Sequence, residues 1–247
     1  MTSCIPEIKL PPRNMRNHND DLYLKSAIDN IETLDKLIGI TPTDHIIDIG
    51  CAAGRLSLPL INRLDPERGG SYRGVDIKSH CINWAKEHIQ EQWPHMVFEQ
   101  IDVKSEYMNP AGKIDPGAQK FTIGNDWANL IILHSVFTHM REPGIRAYMA
   151  EAFRMLQSGG HLFFSLFEWN KAAAEAVKSG TASWCFPHRE GRVRLEKLEK
   201  PELAVAITEE LLRDLIREYD FISIHSHRGR WREGIPGGQD FAIFSKP

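Results

Sequence analysis

HIIDIGCAAGRLSLPL, residues 45–60, decides the fold. The run at 45–49 is short, apolar and rich in isoleucine, which reads as a buried strand. It ends at a turn bracketed by Gly50 and Gly54, and a helical pattern over 55–63 follows. Glycines at a strand-to-helix turn let the backbone come close to a ligand, because no side chain intervenes. Asp48 stands at the strand end just before that turn.

Outward from this stretch the same alternation continues. Strands are predicted at 71–75, 96–101, 129–133 and 161–166, with helices at 79–91 and 143–156. The helix at 143–156 is expected to be closed by Ser158, Gly159 and Gly160. Residues 103–128, interrupted by Pro110 and Pro116, form a long connection with room for one short helix. A helix over 208–219, N-capped by Thr208, precedes two closing strands at 221–225 and 240–245. Upstream, residues 1–20 read as an irregular arm. Leu24, Ile28, Ile31, Leu34 and Ile38 then repeat at helical spacing over 21–38, with Gly39 at the C-cap. Strands alternating with helices imply a mostly parallel sheet with helices on both faces. Ligands in such sheets bind beyond the carboxyl ends of the strands, here the loops after residues 49, 76, 101 and 133.

Two of those loops carry acids. Asp76 ends the second strand, 26 residues after Gly50, a placement that suits a carboxylate accepting two ribose hydroxyls. Asp102, in QIDV, ends the third strand, where it meets an adenine amino group while Val103 lies against the base. A dinucleotide fingerprint anchored on Gly50 requires glycine at 52 and 55, and the chain has Ala52 and Arg55. The departure from a phosphate cradle fits a cofactor without phosphate.

The order DIGCAAGR, GVDI, QIDV, LIILHSVFTHM and LQSGGHLFFSLF resembles the class I S-adenosylmethionine-dependent methyltransferases. The resemblance implies an α/β, three-layer Rossmann-like sandwich around a seven-stranded, mostly parallel sheet. Its strand order is 3-2-1-4-5-7-6 with the last strand antiparallel, and FISIHS and QDFAIFS match the closing hairpin. It divides the chain into an arm and cap helix (1–40) and a methyltransferase domain (41–247), with 168–205 as a candidate substrate lid. It implies a cofactor site of Asp48, Gly50, Cys51, Ala52, Gly54, Asp76, Ile77, Asp102, Val103, His134 and Ser135. Gly50, Cys51, Ala52 and Gly54 would pass beside the methionine moiety, Asp76 would hold the ribose, Asp102 the adenine, and His134 and Ser135 the floor. Ala52 stands where the family commonly has glycine, which narrows the turn slightly.

Methyl transfer from a sulfonium needs chiefly alignment, and a base only where the acceptor must lose a proton. His139, in SVFTHM, is the candidate base; the alternative is a packing histidine before the next helix. No metal is expected, since His134 and His139 lack both ligand spacing and a carboxylate cluster. His225 and His227, flanking Ser226, are expected on one face of a closing strand. The aromatic and basic stretches 181–197 and 227–234 read as a lid over a flat or anionic molecule or as a salt-bridged surface. The interleaved Glu190, Glu196 and Glu233 favour the surface.

Net charge of −3 supplies no global field toward nucleic acid or an anionic membrane. The N-terminus lacks the apolar core of a signal peptide, no run approaches a membrane span, and the four scattered cysteines suggest a reducing compartment. The expectation is therefore a cytoplasmic enzyme that methylates O or N of a small-molecule acceptor such as a sugar, glycan precursor or secondary metabolite, with no nucleic-acid or membrane partner and its oligomeric state open. A nucleic-acid methyltransferase is the first rival, but His134-Ser135-Val136-Phe137 has no proline where base-amino enzymes carry one. A cofactor-binding regulatory protein without transfer activity is the second.

Overall fold

A computed structural model describes residues 5–16 and 19–247. Parts of the arm at 1–20, and Cys4, lie outside the described residues. The chain divides into two compact units, residues up to 101 with 128–132, and residues 102–127 with 133–247.

The first unit begins with α1 (Asp20–Ile38), N-capped by Asn19, which accepts from the Leu22 amide at 2.9 Å. Gly39 closes it at φ +72°, as expected. Its buried stripe is Tyr23, Ala27, Ile31 and Leu34, so Leu24 and Ile28 sit at the stripe's flank rather than its centre. Ala27 and Tyr23 complete the line that Ile31 and Leu34 begin, so a small and an amphipathic residue take two of its four places.

Next come β1 (His45–Ile49), β2 (Ser71–Asp76), α2 (Ser79–Ala85), β3 (Met96–Gln100) and β4 (Ala128–Leu133), the last residue of β4 belonging to the second unit. In the first unit the strands run parallel in the order β3-β2-β1-β4. Central β1 is covered on both faces, which explains its near-continuous apolar sequence. The helix expected at 55–63 is a 3₁₀ turn over Arg55–Leu60, with Pro59, which has no amide to donate, inside it. The helix expected at 79–91 stays α-helical only through Ala85 and then widens into a π turn at Lys86–Gln90.

In the second unit the long connection holds a single 3₁₀ turn at Pro116–Ala118. It is followed by α3 (Glu142–Met155), β5 (Leu156–Trp169), α4 (Lys171–Lys178), β6 (His188–Glu190), β7 (Val193–Leu195), β8 (Val205–Thr208), α5 (Glu209–Glu218), β9 (Ile222–His227) and β10 (Asp240–Ser245). The closing hairpin takes the expected order, with β10 between β5 and β9 and antiparallel to both. Strand β5 starts earlier than expected, at Leu156, and ends later because it changes partner along its length. Residues 161–166 pair with β10, whereas Phe167–Trp169 pair in parallel with β8. The described residues hold ten strands rather than seven, the extra ones being β6, β7 and β8. These lie in or next to the stretch 168–205, which packs on a buried cluster of Phe167, Ala173, Phe186, Ala204, Ala206 and Trp231. The class is α/β and Rossmann-like.

Candidate functional site

In the first unit β1 delivers the chain into a turn held by the neighbouring strand. The Gly50 amide donates to the Val75 carbonyl at 2.8 Å, and Gly54 donates to Cys51 at 2.9 Å. Gly50, Ala52 and Gly54 all have left-handed backbone, with φ of +81°, +48° and +78°. A Cβ on Gly54 would lie 2.9 Å from Ile89 and Phe98, so this glycine serves close packing as well as conformation. Ala52 is strained, since a Cβ in this region costs roughly 1–2 kcal/mol. Ala52→Gly should therefore raise the unfolding free energy by about 0.5–1 kcal/mol after glycine's entropic cost, as read by urea denaturation. An unchanged or lower stability would mean that the turn absorbs the methyl group without strain.

Asp76 meets the turn directly. Its Oδ2 accepts from the Ala52 amide at 2.7 Å and its Oδ1 from the Lys78 amide at 2.8 Å. An ionised carboxylate has about four acceptor sites, so two remain for hydroxyl donors on a carboxylate already fixed in place. Ile77, beside it, is half-buried.

Asp48 is buried beneath the turn and accepts from the Tyr72 hydroxyl at 2.7 Å. Burial pushes its carboxyl up to about 7, with Tyr72 and the Arg55 charge opposing. Arg55 reaches Ser26 of α1 at 3.2 Å, which ties the N-terminal helix to the segment after the turn. Burial also raises the Cys51 thiol. The Cys51 side chain packs over Gly74, where a Cβ would fall 2.8 Å from Sγ. Cys51 can offer a ligand only its backbone.

In the second unit Asp102 is half-buried, and its carbonyl receives the Lys113 and Ile114 amides at 3.0 and 2.9 Å. Val103 is buried beside it. Beyond β4, the His134 ring stacks on Phe163 with centroids 6.3 Å apart, and Ser135 is left-handed at φ +61°. The Ser135 amide donates to Ser165 Oγ at 2.7 Å.

His139 lies on a short 3₁₀ turn, Phe137–His139. Its Nδ1 is 3.0 Å from the Glu202 carbonyl, and its ring stacks on Tyr107 at 6.0 Å. A carbonyl only accepts, so Nδ1 carries the proton and the neutral ring keeps its lone pair on Nε2. The buried Glu202 carboxylate also accepts from the Ser105 hydroxyl at 2.5 Å. Glu202 thus joins the His139 turn to the 105–109 turn. Nothing in the sequence marked it, because its contacts lie 63 and 97 residues away.

The basic and aromatic stretches are largely engaged within the second unit. Phe186 and Trp231 are fully buried, and Trp231 Nε1 donates to Asp240 at 2.9 Å. Arg192 pairs with Glu142 and Asp214, Arg141 grips Glu190 through two bonds of 2.6 and 2.7 Å, and Arg194 lies 4.3 Å over the Trp169 ring. His227 stacks on Phe241, and His225 packs against the same ring at a tilt. Among the described residues no three His, Cys, Asp or Glu side chains are placed to hold a metal ion. Among them, too, no helix is long and apolar enough to cross a membrane.

Comparison with known proteins agrees with this arrangement. Residues 40–216 match the family model described as a methyltransferase domain. The ubiquinone biosynthesis O-methyltransferase of Nitrosomonas europaea is 23% identical over 137 residues, 56% of this chain and 49% of that protein. The chain thus matches about half the length of that curated relative. A SAM-dependent methyltransferase from Methanosarcina mazei superposes with a TM-score of 0.56 at 19% identity, covering 87% of this chain and 96% of that one. The 1,6-didemethyltoxoflavin N1-methyltransferase of Burkholderia thailandensis, solved with its acceptor and S-adenosylhomocysteine, superposes with a TM-score of 0.55 at 17% identity, covering 92% and 79%. The chain belongs to the methyltransferase domain family.

Proposed function

We propose that the protein methylates an oxygen of a small-molecule acceptor, with His139 as the general base. The observation that carries this reading is the tether of His139 Nδ1 to the Glu202 carbonyl, which fixes the ring and its tautomer. A base has work to do where a hydroxyl must lose its proton, as at a phenol or an enol. The Nitrosomonas relative, named as an O-methyltransferase, points the same way. Engagement of Arg141, Arg192 and Arg194 with Glu190, Glu142, Asp214 and Trp169 supports a small molecule over a nucleic acid, since phosphate recognition needs cations to spare.

S-adenosylmethionine, when bound, supplies a methyl group already activated on sulfur. The chain's residues do the rest. Backbone of Gly50–Gly54 would hold the methionine moiety, and Asp76 would take the ribose hydroxyls on its two spare acceptor sites. Asp102, with Val103, would take the adenine. His139 would take the proton of the acceptor's hydroxyl, leaving that oxygen as the nucleophile for the methyl group.

Purified protein given S-adenosylmethionine labelled in the methyl group, together with cell extract, should place the label in a small organic product. Label confined to nucleic acid, or no transfer at all, overturns the proposal. Asp76→Ala should weaken S-adenosylmethionine binding by roughly 1.5–3 kcal/mol, the worth of hydrogen bonds to a charged group, as measured by calorimetry. Wild-type affinity in that variant removes Asp76 from the ribose site.

A further inference from the structure

Gln239 sits where the chain enters β10, beside the end of β5, since Asp240 pairs with Leu166. Its side-chain Oε1 lies 2.6 Å from Ser165 Oγ and 3.0 Å from Ser135 Oγ. The orientation of that amide follows from the serines. Ser165 Oγ already accepts the Ser135 amide, and Ser165 is buried, so its hydroxyl hydrogen has to find an acceptor within the protein. Gln239 Oε1 is that acceptor. A flipped amide would turn Nε2 toward Ser165 and strand a buried hydroxyl hydrogen, the costly outcome for a polar group.

With Oε1 taken by two hydroxyls, the two Nε2 hydrogens point away from the serines. Among the described residues no acceptor meets them. The backbone beneath is held tightly. A Cβ on Gly229 would fall 2.2 Å from the Gln239 carbonyl, and the Trp231 amide donates to Gly238 at 2.9 Å. Ser135 is itself held in left-handed backbone, the kind of strain that persists where a site over-determines it. The result is a rigid, uncharged pair of donors at the carboxyl ends of the strands, where ligands of such sheets bind.

We propose that Gln239 is a ligand-binding residue whose Nε2 donates to a carbonyl or carboxylate oxygen of the bound small molecule. That oxygen belongs either to the methionine end of the cofactor or to the methyl acceptor. The inference rests on the methyltransferase reading of the site.

Gln239→Glu isolates the donors, because one carboxylate oxygen still accepts from both serines while the other replaces the amide nitrogen. Three probes are titrated by calorimetry into wild type and variant: S-adenosylmethionine, its decarboxylated analogue, and 3,4-dihydroxybenzoate onto protein saturated with S-adenosylhomocysteine. If the oxygen is the cofactor's, the variant binds S-adenosylmethionine about tenfold or more weakly and the decarboxylated analogue as wild type does. If it is the acceptor's, the benzoate weakens by a similar factor and both cofactor forms bind normally. Equal affinities of the two proteins for all three probes overturn the assignment. Failure of the wild-type protein to take up S-adenosylmethionine removes the methyltransferase reading instead, and the wild-type titration alone reads it. Matching thermal unfolding of the two proteins shows that the fold is retained.

Discussion

His139→Ala lowers turnover by ~10²–10⁴ while leaving the affinity for S-adenosylmethionine as it was. The size is that expected for losing the proposed general base. The separation from cofactor affinity is expected because the ring's partners, the Glu202 carbonyl and Tyr107, are not among the residues proposed to hold the cofactor. Alanine also removes a packed ring, so a structural loss has to be told apart from a chemical one. His139→Asn does this, because its Nδ2 can reproduce the hydrogen bond that Nδ1 makes to Glu202, yet it has no basic nitrogen. Steady-state kinetics should show the two variants equally impaired in kcat. Recovery of turnover in the asparagine variant would reduce His139 to a positioning residue, and near-normal turnover in both would make it a packing residue.

The parts of this protein that were legible in its sequence are those whose physics is local. A buried parallel strand must be apolar along its whole length, so 45–49 declared itself, and the turn after it needed glycine at Gly50 and Gly54 for reasons of backbone alone. Thr208 caps α5 through its own side chain, and Gly39 closes α1 through its own φ. What stayed hidden depends on partners far along the chain. Strands β6 and β7 are three residues each and owe their place to Phe186 and Trp231 in a shared core and to ion pairs from Arg141 and Arg192. Trp231 read as part of a mixed surface stretch because nothing nearby reveals that Asp240 waits for its indole. Glu202 and Gln239 are the clearest cases. Each is an unremarkable polar residue in a loop until tertiary structure gives it two or three fixed partners.

Asp48 provides the second large effect, in stability rather than rate. Its carboxyl, ordinarily near 3.8, is pushed up to about 7 by burial under the turn, against the opposing pull of Tyr72 and Arg55; Asp76 adds to the rise. Between those two values the folded protein holds a proton that the unfolded chain has released. Stability from this group is therefore complete below about pH 4, falls as pH rises, and is lost once pH passes about 7; the total is about 4 kcal/mol. Glu151, held down to about 2 chiefly by Arg154, slopes the other way but only below its ordinary 4.5, so the two windows separate. Asp48→Asn keeps an oxygen for the Tyr72 hydroxyl and removes the titration. Urea denaturation of ligand-free protein should find the two proteins similar at pH 4 and the asparagine variant more stable by up to about 4 kcal/mol at pH 8. Parallel stability curves across that range would mean that the Asp48 carboxyl ionises beneath the turn without penalty. The expected divergence instead makes the native aspartate a costly choice at neutral pH.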